Sequence, residues 1–168
     1  DLTLNKRQND QLTIFAPGSQ RGDISHIRIA QAGGSGADAV AEIEVVVAAE
    51  RNKGLYKKHV YRLDSMSRGV LITTTYRNDS MEARSGSVDD YWKPSGKRGT
   101  FQGVRWIDAV DPADRGSYAA VWVNGQRRSG IASNPGSLSL KPGETATYTR
   151  FLAVANSPAA AVSEAFVY

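Results

Sequence analysis

Alternation of apolar and polar residues runs through most of this chain, and it confines the fold to sheet. Residues 41–50 (AEIEVVVAAE) set Ile43, Val45 and Val47 on one side and Glu42 and Glu44 on the other. Strand side chains point to opposite faces in turn, so a two-residue period marks a sheet with one covered face. Residues 68–77 (RGVLITTTYR) carry the β-branched content that favours strands and stop at the turn-forming pair Asn78-Asp79. Residues 145–155 place Ala146, Tyr148, Leu152 and Val154 on one face. Shorter runs of the same kind fall at 11–16, 23–32, 55–63, 100–109 and 117–124.

Turn chemistry separates these runs: Pro17-Gly18, Gly33-Gly34-Ser35-Gly36, Asn52-Lys53-Gly54, Asn124-Gly125 and Asn134-Pro135-Gly136. Asn124-Gly125, between VWV and QRRSGIA, predicts a two-residue hairpin of type I′, a turn that needs positive φ at both central residues. Short strands with regular turn signals predict an all-β fold, an antiparallel β-sandwich, with a closed barrel as the alternative. After the break at Asn156-Ser157-Pro158, an Ala-rich stretch predicts a short helical or extended C-terminal tail.

A chain of 168 residues is the size of one domain with a sizeable core, and one domain over 1–168 is expected. The polar stretch 1–10 is expected to be flexible, and 157–168 to lead as a linker into a further domain. The net charge of +4, from 21 basic and 17 acidic residues, is mild and spread along the strands. Nucleic-acid binding calls for a concentrated basic stripe, so it is not expected. With no cysteine there is no disulfide framework and no thiolate metal site. No apolar run reaches the roughly 20 residues needed for a membrane-spanning helix. The chain begins at Asp1 rather than methionine, which fits export after loss of a signal peptide or a chosen boundary.

Chemistry-bearing residues are sparse. The two histidines, His26 and His59, lie inside predicted strands and read as solvent-facing or hydrogen-bonded strand residues. Two histidines without HxH or HExxH spacing make no zinc site, and no metal or cofactor is expected. Asp89 and Asp90 are adjacent, so in a strand they point to opposite faces and do not form a facing carboxylate pair together. Asp108, Asp111 and Asp114 fall in a connecting loop without calcium-loop spacing. Arg21-Gly22-Asp23 and the sequon Asn78-Asp79-Ser80 are short enough to arise by chance.

The densest segment is 88–106 (VDDYWKPSGKRGTFQGVRW), which gathers Tyr91, Trp92, Phe101 and Trp106 among Lys93, Lys97, Arg98 and Arg105. Aromatic faces flanked by polar groups suit carbohydrate recognition, and loops on a rigid sandwich commonly carry binding residues. Asp90, Tyr91, Trp92, Arg105 and Trp106 are therefore the candidate binding residues, with core packing as the competing role for the tryptophans.

Residues 61–80 (YRLDSMSRGVLITTTYRNDS) resemble the paired strands of galactose-mutarotase-like super-sandwich domains, which close on an Asn-terminated turn. Residues 141–165 (KPGETATYTRFLAVANSPAAAVSEA) are similar to the final strand of those domains, in particular the sandwich that precedes a PHP-type metal-dependent hydrolase domain in bacterial multidomain proteins. The resemblance implies a non-catalytic accessory module that packs on a neighbouring domain and is associated with carbohydrate. The His/His/Glu machinery of true mutarotases has no counterpart here. Two alternatives follow from the residues: a carbohydrate-active enzyme using Asp89, Asp90 or Asp108 as acid/base, and a structural protein that self-associates through its sheet edges.

Overall fold

The computed structural model describes residues 2–7, 10–16, 24–36, 39–47, 54–88, 91–92, 96–102, 104–109, 117–124, 127–128, 131–132 and 137–167. Among them an eight-stranded antiparallel sheet dominates. In spatial order its strands are β3 (Ile24–Gly33), β4 (Val40–Val47), β5 (Leu55–Asp64), β6 (Gly69–Asn78), β15 (Thr145–Ala155), β11 (Ser117–Asn124), β10 (Val104–Ala109) and β9 (Gly96–Phe101). The last strand thus enters the middle of the sheet, between β6 and β11.

Three small sheets accompany it. One joins β1 (Leu2–Arg7), β2 (Asp10–Ala16) and β8 (Tyr91–Trp92). A second is the ribbon of β7 (Arg84–Ser87) and β14 (Ser137–Leu140), and a third pairs β12 (Arg127–Arg128) with β13 (Ile131–Ala132). A helix, α1 (Pro158–Val167), ends the described chain. The architecture is all-β and sandwich-like with one short C-terminal helix, as the alternation predicts. No helix among the described residues is long and apolar enough to cross a membrane.

Register divides the large sheet into two faces. Leu71 pairs with Phe151 and Ile72 with Arg150, so odd and even positions of β6 and β15 look in opposite directions. On the outer face, Phe151 and Ala153 join Val104, Ala119 and the helix residues Ala161, Val162 and Ala165 in one buried cluster. Helix α1 docks there through small side chains, which let its backbone approach the sheet. It begins at the Asn156-Ser157-Pro158 break, where Ser157 Oγ accepts from the Ala160 amide (3.3 Å) and Pro158 opens the first turn.

On the inner face the β7–β14 ribbon supplies Leu138 and Leu140, which pack with Val88 on Leu55, Tyr76, Ala146 and Tyr148. Ile72 and Leu152 are fully buried, and each burial contributes about 2 kcal/mol. Toward the β3 edge the same face is bare: Ile27, Ile29, Ile43 and Leu63 are exposed. The outer face near that edge is ionic, with Glu44 held between Arg28 and Lys58 at 3.1 Å each. Hydrogen bonds from these two partners hold the Glu44 carboxyl below its usual range.

Two turns differ from the sequence reading. Residues 100–109, read as one strand, fold back on themselves: Phe101 pairs with Val104, and Gln102 takes φ +44° to make the reversal. The positive-φ signal sat in Gln102-Gly103, inside an apparently continuous alternation. Strands flanking Asn124-Gly125 are not paired with each other, because β11 is engaged by β10 and β15 while β12 pairs with β13; Gly125 itself lies outside the described residues.

The turn after β6 is a polar anchor. Asn78 is fully buried, and its amide nitrogen donates to the Glu82 carbonyl (2.7 Å) and the Leu140 carbonyl (2.9 Å). Its side-chain oxygen accepts from the Ser80 amide at 3.0 Å. Its main chain bonds to Glu144 and Gly143, tying β6 to the turn before β15. A side chain committed in this way is closed to glycosylation.

Candidate functional site

The sequence-derived binding residues fall on two different sheets. Tyr91 and Trp92 form β8, where Trp92 pairs with Phe15 and Tyr91 with Ala16. Arg105 and Trp106 lie in β10, in the large sheet, opposite Ala120 and Ala119. Asp90, like Asp89, lies outside the described residues, and so do the side chains of Tyr91, Trp92 and Arg105. Trp106 is half-buried and packs against the cluster under helix α1. Its ring lies so close over Gly99 that a Cβ there would come within 2.5 Å of it.

Sequence reading passed over a second constellation, on the inner face. Lys57, His59, Thr74 and Arg150 are all at least 95 % buried, with exposures of 2 %, 5 %, 1 % and 1 %. Pairing aligns Val45, His59, Thr74 and Tyr148 in one row across β4, β5, β6 and β15. Arg150, one inward position along β15, donates to Thr74 Oγ1 at 2.7 Å. The same guanidinium reaches the carbonyls of Ile72 and Tyr148, at 3.4 Å each.

Thr74 Oγ1 stands 2.9 Å from His59 Nδ1. Arg150 occupies one lone pair of this hydroxyl, which keeps a second lone pair and its own proton to meet the neutral imidazole. Burial, and after it the Lys57 and Arg150 cations, hold His59 well below its ordinary value of 6.5. Lys57 extends its ammonium over the Tyr76 ring, 5.5 Å from the centroid. Tyr76 and Tyr148 meet edge to face at 6.2 Å.

Thr74 and His59 have the spacing of a nucleophile and its base. With exposures of 1 % and 5 % they are buried within the sheet, where the network ties β5, β6 and β15 together. Among the described residues, no buried side-chain nitrogen or oxygen lacks a hydrogen-bond partner, which is the condition for such a network to rigidify rather than destabilise.

Six of the carboxylates whose side chains the structure describes are engaged structurally. Glu44 pairs with Arg28 and Lys58, Asp64 with Arg62, Asp79 with Arg77, Glu82 with Arg84 and Glu164 with Arg68, while Glu144 accepts from the Lys141 amide at 2.7 Å. Among the described residues, no three His, Asp or Glu side chains come close enough to share a metal ion. Near the end of α1, Phe166 and Val167 are exposed, and Phe166 sits edge-on to exposed Phe101 with ring centroids 6.1 Å apart.

No protein-family model and no curated protein sequence matches the chain. Solved structures do. The heparan sulfate lyase HepC from Pedobacter heparinus aligns with 86% of this chain at TM-score 0.54 and 9% identity. The GH36 α-galactosidase AgaB from Geobacillus stearothermophilus aligns with 94% of it at TM-score 0.52 and 11% identity. At such identities the likeness is one of fold. This chain spans only 24% of the lyase and 30% of the galactosidase.

Proposed function

We propose that this chain is an accessory β-sandwich module of a larger bacterial protein, associated with carbohydrate and packed on a neighbouring domain. One observation carries the reading: nearly the whole chain matches a quarter to a third of two enzymes whose names assign them to heparan sulfate and to α-galactosides. The fold is thus of a kind that recurs as one part of carbohydrate-active proteins. A PHP-type metal-dependent hydrolase domain is the neighbour implied by the resemblance of residues 61–80 and 141–165.

Two surfaces suit such a neighbour. Exposed Ile27, Ile29, Ile43 and Leu63 form one apolar patch, and Phe101, Phe166 and Val167 form another. Exposed apolar area of this kind marks interaction surfaces. Carbohydrate contact is proposed for the 88–106 segment through Asp90, Tyr91 and Trp92; Arg105 and Trp106 are neighbours in β10 and so face opposite sides of the sheet, and Trp106 packs against the cluster under helix α1. The test is a glycan array probed with the 168-residue chain and with Trp92→Ala. Binding to a restricted set of glycans, lost in Trp92→Ala, supports the assignment; signal unchanged by the substitution rejects it.

A further inference from the structure

Two covered faces lie back to back in this sheet, and their chemistry differs. The outer face is sealed by apolar packing of helix α1 on β10, β11 and β15. The inner face is held by the β7–β14 ribbon and by the polar row beside it, and the two share side chains. Tyr148 belongs to the row of His59 and Thr74 and also lies in the floor on which Leu138 and Leu140 pack. Tyr76 belongs to the same floor and lies beneath the Lys57 ammonium.

We propose that His59 is an acid-sensitive latch, whose protonation releases the β7–β14 ribbon from the inner face while the eight-stranded sheet and its helix-covered face persist. An imidazolium has no lone pair at Nδ1 and can only donate to Thr74 Oγ1, which already accepts from Arg150, so both lone pairs of the hydroxyl are taken and its proton must find another acceptor. The charged groups that act on His59 are Lys57 on β5, Arg150 on β15 and the amino terminus of the chain; Tyr61 on β5, Tyr76 on β6 and Tyr148 on β15 share its face, and β4 contributes the apolar Ile43, Val45 and Val47. None of these carries negative charge at neutral pH, and a buried cation placed among them is costly.

The sign follows from the depressed proton affinity of the folded state. His59 contributes stability that is complete above its ordinary value of 6.5 and is lost as pH falls from there toward the lower folded value. The ribbon yields first because it is the smaller unit, two strands of four residues each. The outer cluster contains none of the row's residues and has no reason to follow.

Hydrogen exchange of the whole chain, corrected for intrinsic rates, reads the latch directly. Below pH 6.5, protection at 84–87 and 137–140 is expected to fall about tenfold per pH unit, the slope of one-proton linkage. Protection at 117–121 and 161–165 should not change over the same range. In His59→Gln, a neutral side chain that can still accept from Thr74, the pH slope at the ribbon should vanish. A slope retained in that variant, or ribbon and sheet losing protection together, overturns the proposal.

If His59→Gln does not fold, the His26→Gln background serves, since His26 is exposed and its removal leaves one imidazole NMR signal. That signal must shift with the same midpoint as ribbon opening. An imidazole that is already protonated at pH values where the ribbon keeps its protection excludes the latch.

Discussion

Replacing Asn78 with alanine removes the polar anchor that joins β6, the following turn and the end of β14. Two donated bonds disappear, to Glu82 at 2.7 Å and to Leu140 at 2.9 Å, together with the bonds accepted from the Ser80 amide at 3.0 Å and the Ser80 hydroxyl at 2.7 Å. At about 1 kcal/mol net each these four amount to about 4 kcal/mol. With a urea m-value of about 2 kcal/mol/M for a chain of this size, the unfolding midpoint should fall by about 2 M. Asn78→Asp sharpens the test. At neutral pH it sets a carboxylate against two carbonyl oxygens, so it should destabilise at least as much as alanine. Burial, with the Glu82 and Leu140 carbonyl oxygens facing one carboxylate oxygen, raises the folded proton affinity of that new carboxyl above its unfolded value. The damage should therefore shrink as pH falls toward 4, where the acid regains one donor. A loss below about 1 kcal/mol for Asn78→Ala, or an Asn78→Asp penalty independent of pH, refutes the reading of this turn.

Gly69→Ala should cost about 2–3 kcal/mol, because its Cβ would press on the Leu152 carbonyl and the Phe151 ring in the middle of the sheet. Gly99→Ala should cost less, since the atoms it meets belong to the half-buried Trp106 ring, which can yield; equal losses in urea titrations would contradict the packing described at β9 and β10. Asp79→Asn breaks an exposed pair with Arg77 and should leave the thermal midpoint unchanged within error, where a clear fall would show the pair to be structural.

Alternation made most of the large sheet legible. Residues 145–155 became β15 with the same bounds, and the assignment of Ala146, Tyr148, Leu152 and Val154 to one face agrees with the register, although Val154 is exposed. What alternation could not show is that Arg150 shares that face. A guanidinium reads as solvent-facing, and it takes partners such as Thr74 and Ile72 on β6, 76 and 78 residues away in sequence, to make its burial tolerable. Lys57 and His59 were hidden for the same reason. In LYKKHVYRL the inward set is Leu55, Lys57, His59, Tyr61 and Leu63, whereas Val60 pairs with Thr73 on the opposite face. The reversal at Gln102 escaped because alternation continues through it on both sides. His59 itself conforms to the hydrogen-bonded reading of a strand histidine. The inner-face network is built from long-range contacts, and no local pattern records them.

The central claim, a sandwich module that contacts carbohydrate through the 88–106 segment, is tested most directly by tryptophan fluorescence. The chain has three tryptophans, at positions 92, 106 and 122. Titrating the wild-type chain with an oligosaccharide selected on the array should give a saturable change in emission that Trp92→Ala abolishes, with far-UV circular dichroism unaltered. A saturable change of the same size in Trp92→Ala, or no response of the wild type to any glycan, contradicts it.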